Sequence, residues 1–185
     1  MAILSIPDRN DELRDPNEIR KFLNDRGVFF DQWSCAIEFD NRATQEEILA
    51  AYASDLDPFM RSGGYLTADV ISINRLTENY PALRAKFLAE HTHSEDEIRF
   101  FVDGKGLFWF HLENEPVFNV LCEKGDLISV PAGTKHWFDA GEHDPFVKAI
   151  RIFIDSSGWI PNYTESSIEE NYIDFIIPNR NTTHE

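Results

Sequence analysis

From residue 91 onward the chain alternates short apolar runs with turn signals. This alternation constrains the fold more than any other feature of the sequence. IRFFV gives way to DGKG, LFWFHL to ENEP, VFNVLCE to KGD, LISV to PAG and HWF to DAGEHDP, and FVKAIRIFI closes the series. Runs of this length bounded by Gly, Pro, Asn and Asp read as strands, and their regular spacing points to an antiparallel sandwich or barrel. The fifteen Phe and four Trp suit a fold in which large flat side chains face inward from a sheet.

The first third of the chain reads as helical. Asp15-Pro16 opens the pattern NEIRKFLNDRG, which Gly27 can end. Thr44 and Glu47 have capping-box spacing before ILAAYASDL, with Pro58 and then Gly63-Gly64 as stops. CAIEF (35–39) and ADVISINRL (68–76) read as strands, and Pro81 starts a third helical pattern, ALRAKFLAE. The expectation is one mainly β domain with flanking helices over residues 1–185: a helical part over 1–65, a β-barrel core over 66–160 and a tail over 161–185. The terminal NRNTTHE is expected to be disordered.

Charge narrows the function. A formal net charge of −16 argues against a nucleic-acid surface, which needs clustered Lys and Arg, and against docking on anionic membranes. An anionic substrate would need local positive charge, from a metal or an arginine. The start of the chain, MAILSIPDRNDELRDP, has no basic segment followed by a long apolar run, so it does not read as a signal peptide. No stretch approaches the length of a membrane span. Cys35 and Cys122 lack metal-like spacing and read as buried thiols. Together these features suggest a cytoplasmic protein, and nothing demands more than a monomer.

The stretch HTHSEDEIRFFVDG (91–104) crowds imidazoles and carboxylates together. In an extended chain residues 91, 93 and 97 share one parity, so His91, His93 and Glu97 fall on one face if the intervening SED keeps register. Two imidazoles and a carboxylate on one face resemble the triad that holds Fe(II) with open positions. A second segment, GDLISVPAGTKHWFDAG (125–141), carries Gly125, the turn Pro131-Ala132-Gly133 and then His136 at the start of a strand.

Together the two segments resemble the paired motifs of the cupin superfamily, in which the first supplies His-x-His and Glu and the second one more His. The resemblance implies a cupin double-stranded β-helix, or jelly-roll barrel, with His91, His93, Glu97 and His136 as ligands to one metal ion per chain. Ala140 stands where the second motif often has Asn; that Asn is not a ligand. The flanking residues narrow the resemblance further. FLAEHTHSEDEIRFFVDGKGLFWF, VPAGTKHWFDAGE and KAIRIFIDSSGWIP, with the TADVISI strand before them, are similar to the acireductone dioxygenase family. That family cleaves acireductone with O2 in methionine salvage. With Fe(II) the products are formate and the 2-keto acid precursor of methionine; with Ni(II) they are formate, carbon monoxide and 3-methylthiopropionate.

The resemblance also frames the remaining candidates. Arg99 shares the face of Glu97 and is expected to hold a substrate oxygen, a salt bridge to Glu90 or Asp96 being the structural alternative. Glu90 and Asp96 flank the ligands and could orient an imidazole or act as a base. Phe87, Phe138 and Trp159 are candidates for a pocket taking the methylthio chain. Arg151 sits in the apolar strand KAIRIFI, where a bare charge is costly, so a carboxylate partner is expected, with a site role open. His111, His143 and His184 are not expected to bind metal. Other functions remain on the same fold: an oxalate-type oxidase, a sugar-phosphate isomerase or a non-enzymatic ligand sensor. The isomerase would need more cations than Arg99 and Lys135 supply, and a sensor would need a DNA-binding domain for which the chain has no spare length.

Overall fold

The computed structural model describes residues 1–40, 42–156 and 158–175. Its strands are β1 (Ile3–Ile6), β2 (Asp11–Leu13), β3 (Phe29–Gln32), β4 (Thr67–Ile73), β5 (His91–Thr92), β6 (Glu97–Phe110), β7 (Phe118–Glu123), β8 (Asp126–Val130), β9 (His136–Asp139), β10 (Val147–Phe153) and β11 (Asn162–Tyr163). The α-helices are α1 (Pro16–Asn24), α2 (Gln45–Ala51), α3 (Ala53–Gly63) and α4 (Tyr80–Leu88). All the strand pairings are antiparallel. One sheet runs β11-β5-β9-β6-β7-β1-β2 and the other β4-β10-β6-β8-β3.

The strand common to both sheets is β6, and it organises the jelly-roll. Its first half pairs with β10 and β8, its second half with β7 and β9. The register against β10 slips between Lys148 and Ala149, whose partners are Asp103 and Phe101, so Val102 has no partner. Because side chains alternate faces, this bulge flips the parity of everything after it. Before it, Arg99 and Phe101 face the interior while Ile98, Phe100 and Val102 pack outward under the helices. After it, Phe108 and Phe110 face inward, and Leu107 and Trp109 outward. The DGKG segment is therefore not the hairpin turn its composition suggests but a bend inside one strand, with Gly104 at φ +73°.

The interior between the sheets holds Phe101, Phe108, Phe110, Phe118, Val120, Cys122, Ile128 and Phe138. α2 and α3 close the outer face of the second sheet by laying Ile48, Tyr52 and Leu56 on Ile98, Phe100 and Ile150. The caps follow the sequence. Asp15 accepts from the Asn17 and Glu18 amides at the head of α1, and Thr44 and Glu47 close a capping box on α2.

Three local expectations differ. Pro58 lies inside α3 rather than ending a helix; the break comes earlier, at Tyr52, and Gly64 in the left-handed region ends α3. CAIEF forms no strand. β3 pairs with β8 only as far as Gln32 opposite Asp126, the first residue of β8, so the chain beyond Trp33 has no ladder left. The N-terminal third also contributes β1, β2 and β3 to the sheets. Cys122 is buried, Cys35 is half-buried, and both are free thiols. The terminal NRNTTHE, with His184, lies outside the described residues. Among the described residues no helix is long and apolar enough to cross a membrane.

Candidate metal centre and substrate cavity

Three segments bring the expected ligands together. His91 on β5 stands directly opposite His136 on β9. His93 follows in the loop to β6, and Glu97 opens β6. The PAG turn is fastened to that loop, since the Gly133 amide donates to the His93 carbonyl at 2.8 Å and the Ala132 amide to Asp96 Oδ1 at 3.0 Å. The three imidazole centroids lie 4.6, 4.9 and 5.2 Å apart. One ligand atom from each of His91, His93, Glu97 and His136 lies within 4.8 Å of all the others, and all four residues are buried.

The imidazoles are oriented by backbone carbonyls. Nδ1 of His91 lies 2.7 Å from the Ala89 oxygen, that of His93 3.1 Å from Ile160 and that of His136 2.8 Å from Thr134. A carbonyl only accepts, so each Nδ1 carries a proton, and in a neutral ring Nε2 offers its lone pair to the centre. Glu97 Oε2 lies 2.9 Å from Nε2 of His93 and 3.1 Å from Nε2 of His136. Lone pairs of nitrogen and carboxylate oxygen at that distance repel unless a cation sits among them, a proton or a metal ion. The donor set of three imidazoles and one carboxylate fits a single divalent transition metal.

Electrostatics prepares the ligands. Burial, aided by the neighbouring His136, pushes the His91 imidazole down to about 4, so it is neutral near pH 7. Burial is also the largest single influence on His93 and disfavours its charge, but the hydrogen bond to Glu97, the carboxylate's charge and the Ile160 carbonyl together outweigh it and raise this imidazole above its ordinary value. For Glu97 burial acts upward, yet Arg99 and the two imidazoles hold the carboxyl well below its usual range. Arg99 pairs with Glu97 Oε1 at 2.9 Å, while its Nε and Nη1 have no hydrogen-bond partner although buried.

A cavity of about 340 Å³ opens beside this centre. Its wall includes His91, His93, Glu97 and Arg99, together with Phe87, Phe138, Arg151 and Trp159. His136 lies behind the wall, 1% exposed. Arg151 on β10 stands opposite both Arg99 on β6 and Asp69 on β4, and Asp69 is the carboxylate that its apolar strand requires, bound at 2.7 and 2.5 Å. The guanidinium of Arg99 lies 4.3 Å from the Phe138 ring centroid and 5.5 Å from that of Trp159. The wall also carries Lys86 and Asp155. Its three cations balance its three carboxylates, so a divalent ion would leave the cavity positive inside an acidic protein.

Two expected residues are placed elsewhere. Glu90 and Asp96 do not line the cavity. Glu90 turns toward His111, Thr164 and Ser166. Asp96 accepts from the Tyr65 hydroxyl and the Ala132 amide. Neither touches a ligand imidazole, because the backbone carbonyls hold those positions. His111 meets Glu90 and His143 lies in the loop after β9; neither joins the cluster. Sequence reasoning missed Asp69, Lys86, Phe153 and Tyr163. Of these only Asp69 left a signal, as an acid in an apolar strand.

The ARD/ARD' family model matches residues 6–161. An acireductone dioxygenase of Picosynechococcus sp. is 57% identical over 172 residues, covering 93% of this chain and 97% of that protein. One from Pseudomonas fluorescens is 52% identical over 151 residues, 82% of each chain. Among solved structures, the acireductone dioxygenase from Bacillus anthracis with a cadmium ion in its active centre superimposes with a TM-score of 0.77 at 34% identity, covering 88% of this chain and 98% of that one. The buried histidines and glutamate thus lie in a chain that belongs to the ARD/ARD' family.

Proposed function

We propose that this protein is an acireductone dioxygenase of methionine salvage that holds one ion, Fe(II) or Ni(II), on His91, His93, Glu97 and His136. The observation that carries the reading is the convergence of these four buried ligands beside a cavity with Arg99 on its wall. Cadmium in the active centre of the Bacillus anthracis relative supports a metal at this place. When bound, the ion supplies Lewis acidity to the enediol oxygens of the substrate.

The chain's own residues bind and orient. Nε–H and Nη1–H of Arg99, buried and without partners, are free to donate to a substrate oxygen and to hold negative charge there. Arg151, fixed by Asp69, sets a second guanidinium on the same wall. Phe87 and Phe138 meet edge to face at 6.1 Å, and with Trp159 they offer the methylthio chain an apolar surface and exclude water from the reacting carbons. That Glu90 and Asp96 are not among the lining residues speaks against either as the base.

In this reading O2 and acireductone give formate and 4-methylthio-2-oxobutanoate with Fe(II), and formate, carbon monoxide and 3-methylthiopropionate with Ni(II). The net charge supports a partner list without nucleic acid or anionic membrane. The free thiols support a reducing, cytoplasmic setting. We further propose that the enzyme acts as a monomer, which sedimentation would check. The decisive test is oxygen uptake with freshly generated acireductone on apoprotein reloaded anaerobically with each metal, with products identified. Metal-dependent turnover is expected; a rate no higher than background with metal fully bound would remove the substrate assignment.

A further inference from the structure

Glu90 is a buried carboxylate, 2% exposed, that the cavity leaves unused. It immediately precedes His91, yet its side chain is fully engaged elsewhere. Oε1 accepts from the Thr164 hydroxyl at 2.5 Å and the Ser166 hydroxyl at 2.7 Å, while Oε2 meets Nδ1 of His111 at 2.6 Å. Its carbonyl accepts from the Thr164 amide at 3.1 Å. Bonds from two other segments, remote in sequence, end on this one residue.

Those bonds hold residues 159–166, which run as a strap along the ligand-bearing segment. In β11, Tyr163 stands opposite His91, with the rings 5.9 Å apart. Upstream, the Ile160 carbonyl receives Nδ1–H of His93, and the Trp159 indole donates to the Asp96 carbonyl at 3.1 Å. Trp159 and Tyr163 also form part of the cavity wall. The strap therefore both orients a ligand imidazole and shapes the substrate cavity.

Besides these bonds, the Tyr163 hydroxyl donates to the Lys86 carbonyl at 3.4 Å and the Trp159 ring packs on Phe153 at 4.5 Å. Ile160 is 66% exposed and Tyr163 46%, so beyond Trp159 apolar burial contributes little to the strap. The β11–β5 ladder is two residues long, too short to be stable by itself. Hydrogen bonds to a buried carboxylate are the strong ones in this region.

We infer that Glu90 is a positioning residue that acts through Thr164 and Ser166. It holds the 159–166 strap on β5, and the strap sets the His93 imidazole and the cavity wall. The activity part of this inference rests on the dioxygenase reading above; the strap part does not.

The test compares Glu90→Gln, the double variant Thr164→Val/Ser166→Ala and the conservative Thr164→Ser, all in the metal-loaded protein. Hydrogen exchange of peptides covering 159–166 reads the strap directly. Exchange there is expected to rise ~10-fold or more in Glu90→Gln and in the double variant, and to stay near wild type in Thr164→Ser. With acireductone, KM is expected to rise ~5–20-fold in the same two variants while kcat changes less than about threefold. Unchanged exchange in the double variant would overturn the inference. So would raised exchange with wild-type kinetics, or a loss of kcat confined to Glu90→Gln, which would mark a base touching substrate. If Glu90→Gln does not fold, the double variant decides alone, since Thr164 is half-buried and Ser166 exposed. If the wild-type protein does not turn over acireductone, the substrate reading falls and exchange still decides the strap.

Discussion

Arg99 and Glu97 stand two residues apart on the inward face of β6 and meet as a buried ion pair at 2.9 Å. Burial alone would disfavour both charges, and each makes the other tolerable. The pair joins the candidate metal centre to the cavity beside it, because Glu97 faces two imidazoles and Arg99 also lines the cavity.

Arg99→Met therefore leaves Glu97 buried without its guanidinium. In the metal-free protein the expected cost is about 3–5 kcal/mol, read as a fall in Tm. In the metal-loaded protein the ion still compensates Glu97, so the fall is expected to be smaller. Activity is expected to drop ~10²–10³-fold in kcat in both the iron and the nickel form, as for loss of a donor to developing charge. Equal Tm shifts with and without metal would refute the coupling.

Metal removal should itself be visible as lost stability. A ligand present at a thousand times its Kd stabilises by ~4 kcal/mol, and each kcal/mol moves Tm by about 2–4 °C in a chain of this size. Chelation is expected to lower Tm by about 8–16 °C on that basis. His136→Ala removes a proposed ligand, held between Thr134 and Glu97, so chelation should then shift Tm little. Differential scanning fluorimetry with and without chelator checks both.

The bend in β6 makes two glycines unequal. A Cβ on Gly106 would lie 2.4 Å from the tip of the Phe138 ring, which can give way toward the cavity. A Cβ on Gly104 would lie 2.0 Å from the Phe146 carbonyl oxygen, in a residue already at φ +73°. Backbone cannot yield as a ring can, and the Phe146 oxygen is also the acceptor for the Lys105 amide. Gly106→Ala is expected to cost about 1–3 kcal/mol, with a rise in KM from the displaced Phe138. Gly104→Ala adds left-handed strain of about 1–2 kcal/mol and is expected to unfold at lower denaturant. The reverse order in urea would show that the bend is not fixed by Gly104.

How much of this was legible follows from the physics of each feature. That His91, His93, Glu97 and His136 would converge could be read because their spacing is a local property of two short segments. Arg151 announced a carboxylate partner because a charge in an apolar strand needs one, but only the β4–β10 register identifies Asp69. The β6 bulge was not legible, since DGKG has the composition of a turn and becomes a bend only because two sheets claim the halves of one strand. Glu90 was misleading for a related reason. Nearness in sequence to a ligand says nothing of which way a carboxylate turns, and its partners Thr164 and Ser166 lie more than seventy residues away.

Asp126 offers a pH test remote from the metal. It is fully buried on β8 and accepts from the Gln32 amide group and the Glu123 backbone amide, both at 2.8 Å. Burial raises its carboxyl above the ordinary 3.8, and these hydrogen bonds only partly offset that. The folded state thus holds the proton more tightly than the unfolded chain. For a group raised on folding, stability falls as pH rises from the unfolded value through the folded one, then stays level. Asp126→Asn cannot titrate and lacks this pH dependence. The stability of wild type relative to Asp126→Asn is therefore expected to decline as pH rises from about 3.8 and to become constant at higher pH, measured by urea unfolding of both proteins across the same buffers. A gap that widens in favour of wild type with rising pH would mean that the buried carboxylate is stabilised as an anion, against the burial argument.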